Sequence, residues 1–467
     1  MKKGFWRFGA IAVLLIVLAA CDSASYEPAE YAAAEKIVEY ITSVDGWQKI
    51  ENDDHSQAAA QAEVHTNYAD IFSSDRTRGE YLEDFDYLYD TLTANFPFFG
   101  VIHRSLGVDM HKLYRDTRQH IAAIDDIRND MHFANIVEHQ FINPARNAGH
   151  LNMLSGDFLR LHIEVFSNQV ALGSNQFLYF LQELDNPATR ALHGLTDEDF
   201  APPTPGEDSF VFATTSNNID TRIIEPNQIA YVNILQMNHA TMELDREKLL
   251  NFYHYISDFD HLIIDIRQNG GGDSRFFPEL VVAPNISEPL HYHFYMFTMD
   301  GEHNRRLLEP WLKNWWGDAE YPVFSPIHDD LLNSLTHLNA EDALMLDLYW
   351  AWHGTIHPSH DEAIFGVKIW MLVSNSNFSA SENAAAIAKQ TDFATLVGQT
   401  TGGDGVGINP LVLALPNTGI VVRYSSIYGT DPTGRNNQEF GTDPHFFNRP
   451  HLDALQTTLE LIAEGNY

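Results

Sequence analysis

Beyond Pro226 the chain carries short apolar runs too continuous to be apolar on one side only. They are Ile229-Ala230-Tyr231-Val232-Asn233-Ile234, His261-Leu262-Ile263-Ile264-Asp265-Ile266, Lys368 to Val373, and Thr395-Leu396-Val397-Gly398. Each has the length of a strand, and a strand apolar on both faces is one covered on both faces. Helical segments fall between them, Arg246 to Ile256 after the first run and Ser381 to Lys389 after the third. Strands alternating with helices predict α/β layers around a buried, largely parallel sheet. Residues 411–424 alternate as a hairpin around Pro416-Asn417-Thr418-Gly419.

The remainder reads differently. From about 80 to 140 the apolar positions recur at helical spacing, Tyr81, Phe85, Leu88 and Leu92, then Leu113, Ile121 and Ile124. Residues 61–155 therefore read as an N-terminal helical domain closing at Asn147-Ala148-Gly149-His150. Residues 156–225 are a connecting segment with no firm structure, and 226–467 form the α/β domain. Within that domain the stretch from about 285 to 365 is rich in Trp311, Trp315, Trp316, Trp350 and Trp352. Two readings stand for it, a cap whose aromatics bind apolar substrate side chains, and an ordinary packed subdomain.

At the N-terminus Lys2, Lys3 and Arg7 precede an apolar run from Phe8 to Leu18, too short for a comfortable membrane span. It ends in Leu18-Ala19-Ala20-Cys21, which resembles the lipobox of bacterial lipoproteins. The expectation is a signal peptide over 1–20, lipid on Cys21, and a polar, Ala-rich tether over 21–60. That implies a bacterial cell-envelope location, facing the periplasm or exterior, with membrane contact only through the anchor. An uncleaved anchor or an ordinary secretory signal is the alternative. With 28 Lys+Arg against 64 Asp+Glu, a net charge of −36 disfavours nucleic acid and anionic lipid as partners. A single cysteine excludes a disulfide framework, a thiolate zinc cluster and an iron–sulfur site.

Two turns carry candidate chemistry. Asp265-Ile266-Arg267-Gln268-Asn269-Gly270-Gly271-Gly272 follows the second strand, and its glycines leave backbone N–H groups open to an anion or a developing oxyanion. Asn375-Ser376-Asn377-Phe378-Ser379-Ala380-Ser381-Glu382 joins the third strand to an Ala-rich helix. There a serine hydroxyl faces the cleft beside a helix N-terminus, although serines in such places commonly cap helices. Adjacent parallel strands bring both turns to one sheet edge, where open α/β sheets bind ligands.

Together with Tyr231 to Asn233 and Val397-Gly398-Gln399-Thr400-Thr401-Gly402-Gly403, these motifs occur in the order of the C-terminal processing (tail-specific) and tricorn-type serine peptidases. The resemblance is strongest over about 226–450. It implies a Clp protease/crotonase-like α/β core and peptide-bond hydrolysis without a cofactor. Ser379 is then the nucleophile, and the Gly271 and Ala380 N–H groups the oxyanion hole. The tail-specific branch takes a lysine base from a Gly-Lys-Gly; Asp404 stands at that position here, so a Ser–Lys dyad is not expected. The tricorn-type branch uses a histidine at the end of its helical domain, which matches His150 in Gly149-His150-Leu151-Asn152. A histidine titrates near neutrality and suits general-base work. The resemblance assigns the acid that orients it to Glu439, with Gln438 as the alternative. The family's peptide-reading PDZ module leaves no trace in 155–225. His291, His293, His353, His357 and His360 show no metal-ligand spacing, so no metal is expected. The expected substrate is a polypeptide of the cell envelope. The competing function is an inactive relative that binds an apolar ligand or peptide.

Overall fold

The computed structural model describes residues 76–124, 127–154, 156–171, 177–201, 216–315, 324–366 and 368–465. The expected signal peptide, Cys21 and the tether lie outside the described residues. Among the described residues no helix is long and apolar enough to cross a membrane.

Helices α1 (Arg78–Asn95), α2 (Phe99–Leu106), α3 (Met110–Ala123) and α4 (Asp130–Val137) form the N-terminal region. Thr77 starts α1 with a capping box, its hydroxyl accepting from the Glu80 N–H while the Glu80 carboxylate accepts from the Thr77 N–H. Tyr81, Phe85, Leu88 and Leu92 are all buried on one stripe of that helix, as their spacing requires. After α4 the chain tightens through one π turn and two 3-10 turns to His150, then enters β1 (Asn152–Met153).

Residues 156–225, left without structure by the sequence, contain α5 (Gly156–Ala171), α6 (Leu178–Leu184), α7 (Pro187–His193) and β2 (Ile219–Glu225). α6 and α7 have seven residues each, whereas α5 has 16 and buries Leu159, Ile163 and Phe166 on one stripe.

The α/β region follows as β3 (Ile229–Ile234), α8 (Met242–Tyr255), β4 (His261–Asp265), β5 (Leu290–Thr298), α9 (Glu302–Trp315), β6 (Ser325–Pro326), β7 (Leu348–Ile356) and β8 (Lys368–Val373). It continues through α10 (Ala380–Gln390), β9 (Thr395–Gly398), β10 (Leu411–Ala414), β11 (Val421–Tyr424), β12 (Tyr428–Thr430), α11 (Asn437–Phe440), β13 (Phe446–Phe447) and α12 (Ala454–Glu464). The central sheet has the order β13-β9-β8-β4-β3-β2, parallel throughout except for the antiparallel edge pair β2–β3. Both faces are covered. Ile229, Tyr231, Ile263, Trp370 and Leu372 pack beneath α12, and the intervening Val232, Ile264 and Met371 join the main core. Two-sided burial is why these strands read as continuous apolar runs.

β1, β11 and β10 form a three-stranded antiparallel sheet, so the end of the helical region and the hairpin of 411–424 are hydrogen-bonded to one another. The insertion at about 285–365 contributes a second antiparallel sheet in its described part. β5 and β7 pair over nine residues, with β12 on one side and β6 on the other. Trp350 and Trp352 lie 5.0 Å apart in that sheet, partly buried against the main core.

Candidate active site

The register Asp265↔Leu372 sets the ends of β4 and β8 side by side. Their following turns therefore meet. Asn377 joins them, its amide donating to the carbonyls of Ile266 and Asn269. On the other side the Ser379 N–H donates to Gly403 O at 3.2 Å, and Phe378 forms a parallel bridge with Gly403. The serine elbow is thus held from two directions.

The two serines of the elbow are used differently. Ser381 is fully buried; its hydroxyl donates to Asn269 O at 2.6 Å and accepts from the Phe378 N–H at 3.0 Å. Ser379 is only partly buried and makes no capping bond at the start of α10. Its backbone is at φ 57°, ψ −124°, a region that costs a non-glycine residue about 1–3 kcal/mol. Such strain at a strand-to-helix turn lifts a side chain out of the helix surface instead of folding it back as a cap.

Gly271 lies against this elbow. At φ 114° it is in glycine territory, and a Cβ there would come within 2.7 Å of Phe378 O and 3.0 Å of Ala380 N. The predicted pair is brought together, but only half of it is presented. The Ala380 N–H stands in the first turn of α10, where no intrahelical acceptor exists. The Gly271 N–H instead donates at 2.9 Å to the side-chain oxygen of its own loop residue Asn269. That is a correction to the sequence expectation. Gly270 and Gly272, on either side, make no N–H hydrogen bond to another described residue.

His150 is buried beside Ser379's neighbour, its ring centroid 4.6 Å from that of Phe378. Its own φ of 52° continues a left-handed run through Arg146, Asn147 and Gly149. Gly149 is required there, because a Cβ would sit 2.6 Å from both Phe96 and Phe98. The turn is tied down by Gly149 N–H to Gln438 Oε1 at 2.9 Å and by Ser425 N–H to Gly149 O at 2.6 Å.

The acid on the imidazole is not Glu439. Asp404 Oδ2 lies 2.5 Å from His150 Nδ1, and the Ser425 hydroxyl lies 3.1 Å from that nitrogen and donates to Asp404 Oδ2 at 3.0 Å. Asp404 is buried, at φ 54°. Both oxygens of Glu439 accept from Arg104, at 2.9 and 2.7 Å, and that guanidinium also holds Asp342. Gln438 supports the histidine's backbone and leaves the ring to Asp404. Ser425 had no signal in the sequence; Asp404 had one, its place between two glycines, but charge alone did not reveal a partner.

Glu382 lies one helical turn beyond Ser379 and is fully buried. Its Oε1 accepts from Asn437 Nδ2 at 2.7 Å and Thr442 Oγ1 at 2.6 Å, fastening α10 to the segment that carries α11. Burial pushes this carboxyl above its ordinary range, against hydrogen bonds that lower it. Lys389, the cation of α10, donates to Asp443 O, and Asp443 accepts from Thr400 and Arg435 as a turn residue. Among the histidines, His293 and His353 stack at 4.5 Å across β5 and β7. Among the described residues no three His, Cys, Asp or Glu are arranged to hold a metal.

The model of peptidase family S41 matches residues 228–447, a segment that contains the glycine turn, the serine elbow and Asp404. Over this part the chain matches that family. The protein is a serine peptidase, a hydrolase of peptide bonds. No curated protein matches the sequence. Mature CPAF complexed with lactacystin is similar at 14% identity and TM-score 0.46, over 83% of this chain and 97% of that one. A lipoprotein from Streptococcus agalactiae is similar at 11% and 0.41, over 82% and 96%. The photosystem II D1 C-terminal processing protease is similar at 16% and 0.31, over 54% and 52%. Identities this low leave the residue roles to be argued from this chain's own geometry.

Proposed function

We propose that the protein hydrolyses polypeptides of the bacterial cell envelope through a Ser379–His150–Asp404 triad. The observation that carries this reading is the buried Asp404–His150 contact beside a strained, uncapped Ser379. With Nδ1 engaged by Asp404 and Ser425, the ring has Nε2 left for proton transfer. His150 takes the Ser379 proton as the hydroxyl attacks the scissile carbonyl, then gives it to the leaving amine. Asp404 holds the ring's orientation and balances the imidazolium. The oxyanion is met by the Ala380 N–H and the N-terminus of α10, with a second donor from the glycine turn. Water then hydrolyses the acyl-enzyme by the same proton route. The Leu18-Ala19-Ala20-Cys21 motif supports anchoring through a lipid on Cys21.

Labelling with a fluorophosphonate probe tests the nucleophile. Wild type should label at Ser379 and Ser379→Ala should not; a folded wild-type protein that stays unlabelled and cleaves no polypeptide sinks the mechanism. For the anchor, radiolabelled palmitate should enter the expressed protein and be lost in Cys21→Ala. Unchanged incorporation would rule the anchor out.

A further inference from the structure

Arg423 differs from most of the arginines near the site. Arg104 holds Asp342 and Glu439, Arg267 holds Asp265 and Asp453, Arg275 holds Asp273, and Arg435 holds Asp443. In a chain with 64 Asp+Glu against 28 Lys+Arg, carboxylates are abundant. Yet the side chain of Arg423, partly buried in β11, makes no hydrogen bond or ion pair with another described residue. Its strand lies between β1 and β10, with Arg423 opposite Asn152 and Val412. Ser425, two positions on, reaches both His150 and Asp404 with its hydroxyl, whereas the intervening Tyr424 points away toward Asn304. Alternation continued one residue past the strand puts Arg423 on the Ser425 side, the side of the imidazole's Nδ1. No hydrogen bond or ion pair joins it to Asp404, whose Oδ2 is shared between His150 and Ser425. Burial pushes the guanidinium down to about 10 while the nearby Asp404 charge opposes that fall.

A partly desolvated guanidinium without a partner among the described residues is unfavourable, and a planar fork is suited to grip a carboxylate bidentately. We infer that Arg423 is a specificity-determining residue that pairs with a carboxylate of the polypeptide substrate beside the His150–Asp404 pair. This rests on the peptidase mechanism above. The carboxylate belongs either to an acidic side chain or to the free C-terminus of the substrate. The same contact adds a negative charge near the imidazolium that forms during acylation.

Matched peptides separate the sources: one series carries Glu or Gln at each position around the cleavage site, and a second ends in a carboxylate or an amide. With the wild-type protein, kcat/KM should favour the anionic member of one series by roughly 10- to 100-fold. Arg423→Met should equalise the pair, and Arg423→Lys should keep part of the preference, with circular dichroism checking the fold of each. Equal rates for every pair in the wild type overturn the inference without any variant, as does a preference that survives in Arg423→Met. The same peptides titrated onto Ser379→Ala report affinity without turnover. A carboxylate preference there that Arg423→Met removes supports the inference even if the hydrolysis mechanism fails; its absence overturns it. Absent labelling and cleavage, by contrast, count against the mechanism.

Discussion

Ser379 and Ser381 are two positions apart and face opposite requirements. The Ser381 hydroxyl is buried with both its bonds made, so Ser381→Ala should lower stability by about 1–3 kcal/mol while fluorophosphonate labelling persists. Chemical denaturation and labelling of the one sample check both halves. The carboxylate assignment is decided by a second comparison. Asp404→Asn should lower kcat about ten-thousand-fold, because an amide at Nδ1 favours the wrong tautomer and cannot balance the imidazolium. Glu439→Gln should leave kcat within tenfold of wild type, since its partner is Arg104. If the two variants exchange these effects in steady-state assays, the orienting acid is Glu439 after all.

At the level of elements, the site depends on turns held rigid by their neighbours. The 148–150 turn is wedged against Phe96 and Phe98, so Gly149→Ala at φ 59° should cost about 1–3 kcal/mol and displace His150. Thermal unfolding together with kcat would register both effects. α10 is fastened through Glu382, whose carboxyl is raised by burial in the folded state. A carboxyl raised on folding stabilises fully below its unfolded pKa and loses that contribution as pH rises through the folded one. The urea midpoint of wild type should therefore fall relative to that of Glu382→Gln as pH increases from 4 to 8. Parallel midpoints across that range would show the carboxyl is not raised.

For the whole molecule, the net charge of −36 is a source of self-repulsion that salt screens. The melting temperature should rise as NaCl increases from low to moderate concentration, and calorimetry at fixed pH checks the direction. The amino-acid sequence by itself determined the central strands and the serine elbow. Apolar continuity over 229–234, 261–266 and 368–373 is a local property, and so is a serine between a strand and an Ala-rich helix. It also pointed to His150, through a Gly-His turn. It did not find the helices of 156–225, although the 16-residue α5 carries Leu159, Ile163 and Phe166 at helical spacing. Nor did it identify the partner of His150, because Asp404 lies 254 positions away and reaches the imidazole only when the loop after β9 packs against the end of the helical region. Glu439 was an equally acidic candidate on paper; Arg104, 335 positions from it, took its charge. Periodicity is written along the chain, whereas the choice among carboxylates follows from which buried hydrogen-bond donors arrive beside each one, and that only the tertiary structure decides.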